Sequence, residues 1–328
     1  MSRGWPALGM VAVLVLSGCG SEVAAGADPD GRRLLKVSDV HEATGMTLLE
    51  GPVFTPDGSL LVVDVTAPAG EPKVLTIDVR KRSVKGFLTD ASSAWTSAQI
   101  SPYDGRLYLT DFAAGAIDSI SLDGDDPRVF FTGQVDGAVM KPDDLTFDPE
   151  GNLYVSDTTG HDEPGGPDQG RIVRIDRDGQ EATVLADELP APNGVSFDAT
   201  YEGLWISEYS GNRIDRLGLT VGGKAVATQY PAVRVDAGLA QVDSNAVDAS
   251  GNVYQMFHRQ ARVMVFGRNG DHLDTIDLPV PDDGDYSATN LAIRPGTKDA
   301  YVTVSGPSGG FVYTFRARDR GVRQSNGG

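Results

Sequence analysis

A turn followed by a short alternating strand recurs along most of this chain, and that repeat limits the fold more than any other feature. The dipeptides Asp57-Gly58, Asp104-Gly105, Glu150-Gly151, Glu202-Gly203 and Ser250-Gly251 each precede a run rich in Leu, Val, Ile, Tyr or Trp. Four of these runs close on an acid: Asp64, Asp111, Asp157 and Glu208. A sixth copy follows Lys298-Asp299 and has lost its Gly. Successive copies lie 46 to 52 residues apart, and a further apolar strand follows each one, at 74–78, 117–120, 171–176, 213–217, 262–266 and 311–315. No stretch sustains helical periodicity. Short β-branched and aromatic strands behind turn dipeptides, evenly spaced, indicate an all-β protein. A period near 48 residues accommodates one four-stranded sheet, which predicts a six-bladed β-propeller over residues 34–316. Residues 34–37 are expected to lend an outer strand to the last blade and close the ring.

The two ends are different kinds of sequence. Arg3 precedes an apolar run at 7–16, too short to span a bilayer but of signal-peptide length, and Leu16-Ser17-Gly18-Cys19 follows it. That tetrapeptide resembles a bacterial lipobox, so residues 1–18 are expected to be a lipoprotein signal peptide and Cys19, the one cysteine, the lipidation site. Residues 19–33 then form a flexible tether, and 317–328 a disordered tail. The expected location is the bacterial cell envelope, outside the cytoplasm, with the lipid anchor as the only membrane contact. A formal net charge of −18 disfavours nucleic acid and anionic headgroups as partners. A monomer acting on a small molecule is expected.

Eight residues before each repeat Gly, a propeller strand begins at the rim of the central channel. Those positions hold Glu50, Ser97, Asp143 and Asp243, with Asn290 before Lys298 and, allowing for a longer turn, Asn193. Carboxylate and amide oxygens converging on an axis suit a hard divalent cation, Ca2+ before Mg2+, other divalent ions being possible. The bland alternative is that Asp and Asn at strand starts bond their own turns.

The segments Leu49-Glu50-Gly51-Pro52, Lys141-Pro142-Asp143-Asp144, Pro192-Asn193-Gly194 and Val242-Asp243-Ser244 resemble the gluconolactonase family. That family includes the regucalcin (senescence marker) and luciferin-regenerating proteins; the bacterial drug-responsive lactonases resemble this chain most at Asp143 and Ser244, where many members have Asn in place of Asp143. The resemblance implies a divalent metal, often Ca2+, on Glu50, Asp143, Asn193 and Asp243, and proton transfer by Asp243. Ser244, Asp144, Ser97 and Asn290 are possible further contacts to metal or substrate.

Two functions follow. One is a Ca2+-dependent hydrolase of a lactone or similar ester, with the carbonyl polarised by the metal and Asp243 as general base. The other is a non-catalytic binding or scaffold propeller at the cell surface with a structural metal. No Gly-x-Ser-x-Gly elbow is present, and no catalytic role is assigned to His41, His161, His258 or His272. The acidic segment 160–168 is read as a solvated loop that could alternatively cover the site or hold a second ion. The departures at 255–258 and 289–290 fall where substrate would sit.

Overall fold

The turn dipeptides act as the repeat requires. Gly58, Gly105, Gly151 and Gly251 all take positive φ, between 72° and 91°, where a side chain would be strained. The Asp148 carboxylate seals its turn by accepting the backbone N–H groups of Glu150 and Asn152 at 3.0 and 2.8 Å. Gly203 differs. Its strand has already begun there, and a Cβ would come within 2.2 Å of the Leu217 carbonyl oxygen.

The computed structural model describes Met1 and residues 31–159 and 167–323. The expected signal peptide and Cys19, most of the tether, and the stretches 160–166 and 324–328 lie outside the described residues. Nearly everything described is strand, turn or loop, with one short 3-10 turn at Tyr209–Gly211. No helix among the described residues is long and apolar enough to cross a membrane.

Strands connect to their sequence neighbours in antiparallel meanders. The first four-stranded sheet comprises Leu49–Phe54, Leu60–Asp64, Pro72–Asp78 and Ser83–Thr89. Three more of the same pattern begin at Trp95–Ile100, Pro142–Phe147 and Pro192–Phe197. An eight-stranded sheet follows, but a single pair, Phe257 with Ala288, joins its halves. One half starts at Gln241–Val247; the other runs from Ser287–Ile293 to Gly309–Arg316 and ends on Arg32–Ser38. Each innermost strand packs against the innermost strand of the next sheet, and Ser287–Ile293 packs back against Leu49–Phe54. The sheets are therefore blades arranged radially about one axis.

The core sits between blades. Val63 and Val74 of the first meet Trp95 and Leu109 of the second. Phe54 and Val62 of the first meet Ala292, Tyr301 and Val312 of the last, so the seam is packed like the other junctions. Arg32–Ser38 pairs with Gly309–Arg316, the outer-strand closure expected from residues 34–37.

Residues 317–323 depart from the expected disordered tail. They cross the face opposite the channel rim described below. The Ala249 N–H donates to the Arg320 carbonyl at 2.9 Å and the Gly321 N–H to the Thr297 carbonyl at 2.8 Å. The Arg318 N–H reaches the Tyr254 hydroxyl at 2.8 Å, and the Asp319 N–H reaches Asp248 Oδ2 at 3.0 Å. Composition pointed to a free end because these bonds use main-chain groups, which any residue supplies.

Candidate active site at the channel rim

Every innermost strand is interrupted at one place, where it meets the rim. The pairing register slips between Glu50 and Val53, Trp95 and Ser97, Pro142 and Leu145, Pro192 and Val195, Val242 and Asn245, and Ala288 and Leu291. A bulge adds a residue to one strand and re-aims its side chain. Here the slips fall at or directly beside the residues marked out by the repeat.

The register also corrects two of those positions. Leu145, Val195, Asn245 and Leu291 occupy equivalent rungs, facing Val155, Ile206, Gln255 and Val302, and Ala98 faces Leu109 likewise. The residue two before each is Asp143, Asn193, Asp243, Thr289 and Thr96. Ser97 and Asn290 therefore occupy the place after the ring position, beside Asp144 and Ser244. Counting back from the turn misplaced them by one residue because turn length differs between blades. Both still meet the site. Ser97 Oγ donates to Asp144 Oδ1 at 2.5 Å, and Asn290 donates a side-chain hydrogen bond to Glu50.

The other predicted residues come together. Asn193 Nδ2 donates to Asp143 Oδ2 at 2.9 Å, Ser244 Oγ lies 3.4 Å from Asn193 Oδ1, and Asn193 also bonds the Asp243 carboxylate. Glu50 and Asp243 are buried, whereas Asp143 and Asn193 retain partial exposure. Burial pushes Glu50 well above the usual carboxylate range, and repulsion from Asp243, Asp143 and Asp144 adds to it. Burial likewise raises Asp243, helped by the charge of Asp143. Asp143 rises to about 7, through burial and then the charge of Asp144. No basic side chain is among the principal groups acting on these three acids.

Three enclosed carboxylates without a cationic partner, plus an amide and a hydroxyl, form an all-oxygen donor set of the kind that fits a hard cation. The side chains do not already form a cage: among the described residues no three His, Cys, Asp or Glu groups close tightly enough to hold an ion. Asn193 faces Asp143 with its amide N–H, and turning over that amide would present its oxygen.

Two further residues stand at the mouth: Tyr209, which the sequence did not single out, and His258, which falls in the 255–258 stretch expected near substrate. Tyr209, on the 3-10 turn, is raised by burial and then by the charges of Asp243 and Asp143, which places its phenol beside the acids. Its ring centroid lies 5.8 Å from that of His258. Burial, then the Arg259 charge, lowers His258, which keeps the imidazole neutral near pH 7. Tyr209 follows Glu208 directly, at a position that the repeat does not mark.

Residues 48–306 match the family described as SMP-30/Gluconolactonase/LRE-like region. The lactonase drp35 of Staphylococcus saprophyticus is 26% identical over 282 residues, covering 83% of this chain and 84% of that protein. The lactonase drp35 of Staphylococcus haemolyticus is 26% identical over 298 residues, covering 88% and 87%. Among solved structures, a gluconolactonase of Xanthomonas campestris superposes with a TM-score of 0.68 at 21% identity, covering 88% of this chain and 96% of that one. The calcium-binding protein regucalcin of Agrobacterium tumefaciens superposes with a TM-score of 0.67 at 15% identity, covering 88% and 98%.

Proposed function

Since the chain belongs to the SMP-30/gluconolactonase/LRE-like family, we propose that it is a divalent-metal-dependent hydrolase of a lactone or similar ester, built on a six-bladed propeller. The observation that carries this is the rim itself: Glu50, Asp143 and Asp243 lie within one electrostatic neighbourhood with Asn193 bonded among them and, among the described residues, no basic side chain among the principal groups acting on them. The lactonase relatives supply the substrate class. The circle of inner-strand contacts and the two halves of the large sheet support the blade number.

Glu50, Asp143, Asn193 and Asp243 would hold the ion, with Ser244 beside them. Ca2+ bound there supplies a Lewis acid for the lactone carbonyl. Asp243 then takes a proton from the attacking water and returns it to the leaving alkoxide oxygen. The Tyr209 and His258 rings give the mouth a wall against which the acyl part of a substrate rests. Asp144, held by Ser97 and by the Leu145 N–H at 2.8 Å, stays turned into the protein.

The test is turnover of a panel of γ- and δ-lactones with Ca2+ and with EDTA, with Asp243→Asn alongside. Activity lost to both supports the reading; activity indifferent to both removes it. We also carry forward the lipid anchor at Cys19 and an envelope location. Cys19→Ser should release the protein from membranes of the producing cell, and a variant that stays membrane-bound counts against the anchor.

A further inference from the structure

One blade is built differently where it carries the general base. In five repeats the second-strand residue on the equivalent rung is apolar and buried: Val62, Leu109, Val155, Ile206 and Val302. In the remaining repeat it is Gln255, fully buried and facing Asn245 across the strand pair. The next residue reverses the pattern. Thr110, Ser156, Ser207 and Thr303 have a hydroxyl there, whereas this blade has Met256 and the first blade Val63.

The bulges give those hydroxyls work. A bulge leaves main-chain groups without ladder partners, and a buried carbonyl needs a donor. Thr110 Oγ1 donates to the Asp143 carbonyl at 2.9 Å. Ser156 Oγ donates to the Asn193 carbonyl at 2.5 Å and accepts the Asp144 N–H at 2.9 Å. Thr303 Oγ1 donates to the Asn290 carbonyl and Thr289 Oγ1 to that of Leu49, just before Glu50. Around Asp243 the corresponding hydroxyl is Ser207 of the preceding blade, which donates to Gln255 instead, and Met256 offers its own bulge none, so the Gln255 amide takes over. Its Nε2 lies 2.9 Å from the Asp243 carbonyl, 3.0 Å from that of Ser244 and 2.8 Å from that of Met256. Its Oε1 accepts the Ser207 hydroxyl at 2.8 Å; Ser207 accepts Asn245 Nδ2 at 2.8 Å, and Ser196 donates to Asn245 Oδ1. Ser196, Ser207, Asn245 and Gln255 are all fully buried, and none of their side-chain atoms is left unsatisfied among the described residues.

We propose that Gln255 is a positioning residue for the Asp243–Ser244 bulge, gripping both carbonyls from inside the core and, through Ser207, tying the aim of the Asp243 carboxylate to the preceding blade. The inference rests on the assignment of Asp243 as the base. It explains why a polar side chain occupies a core position in this one repeat. Hydroxyls serve the carbonyls of Asp143, Asn193, Asn290 and Leu49, whereas at Asp243 and Ser244 an amide does so.

The experiment compares wild type, Gln255→Leu, the double variant Gln255→Leu/Met256→Ser, and Asp243→Asn. The first change restores the residue type found in the other blades, and Met256→Ser returns the missing hydroxyl. Each protein is assayed by lactone hydrolysis at a temperature where circular dichroism shows it fully folded, and by calorimetric titration with Ca2+ alone. Gln255→Leu is expected to lower kcat by ~10- to 100-fold and to weaken Ca2+ by a similar factor, the usual effect of freeing a ligand's support, with KM changed less than about threefold. The double variant should recover both to within about threefold. A folded Gln255→Leu with wild-type kcat and Ca2+ affinity overturns the proposal. If the single variant does not fold, a folded double variant as inactive as Asp243→Asn overturns it equally. Full activity in Asp243→Asn, or a wild type inert toward both Ca2+ and lactones, refutes the assignment of the base and this inference with it.

Discussion

Replacing Asp143 by Asn should make the metal-free protein more stable and the metal-loaded protein weaker, and the first effect has a size and a pH dependence fixed by the site. The Asp143 carboxyl moves from an ordinary 3.8 to about 7 in the folded chain. At about 1.4 kcal/mol per pH unit, holding it ionised in place costs roughly 4 kcal/mol. Below about pH 4 the acid is protonated in both states and costs nothing. Between there and about pH 7 the unfolded chain releases the proton while the folded one keeps it, so wild-type stability declines as pH rises. The substituted amide never ionises, and it retains an oxygen to accept from Asn193 Nδ2. In EDTA the advantage of Asp143→Asn should therefore be near zero at pH 4 and approach about 4 kcal/mol at pH 8. For a domain of this size that is about 8 °C in Tm. Relief of the repulsion on Glu50 and Asp243 adds in the same direction. Saturating Ca2+ should reverse the order, because the variant has one charge fewer for the ion. Thermal melts at the two pH values, with and without Ca2+, decide the matter. An Asn variant no more stable than wild type at pH 8, or equally stabilised at pH 4, refutes the electrostatic account.

Three further outcomes are expected. Glu208 is buried with neither oxygen bonded among the described residues, whereas Asp157 at the equivalent place accepts the Lys141 N–H at 2.8 Å; Glu208→Met should raise stability by about 1–3 kcal/mol in urea titrations without changing lactone turnover. Truncation after Arg316 removes the main-chain bonds to Ala249 and Thr297 and those to Asp248 and Tyr254, and should lower stability by about 3–5 kcal/mol; an unchanged melt would show the segment to be idle. Deleting residues 1–38 strips the partner strand from Gly309–Arg316 and should yield dimers or aggregates on size exclusion, since an open apolar edge recruits another chain.

The repeat made the sheets legible because turn glycines and alternating strands are local signals. It also led to Glu50, Asp143 and Asp243, each eight residues before its turn Gly, and to Asn193, ten before Gly203. The same counting misplaced Ser97 and Asn290, since a bulge and a turn of variable length are set by pairing between strands and leave no fixed spacing in the sequence. Tyr209 stayed hidden because its place beside Asp243 comes from the 3-10 turn after Glu208. Gln255 read as a departure in a region where substrate would sit; the structure buries it behind the ring instead. Main-chain bonding by residues 317–323 left no mark that side-chain composition could carry.

The seam between Arg32–Ser38 and Gly309–Arg316 bears on how the molecule is made. The opening strand of the domain leaves the ribosome first, and among the described residues its one β-sheet partner is the hairpin made last. Until that hairpin appears, the growing polypeptide has an unmated end, and the final joining spans almost the whole domain, a long-range contact of the slow kind. Nascent chains should thus resemble finished protein to a protease only once translation has passed residue 316. Shielding of the first strand during synthesis would then be a task for chaperones.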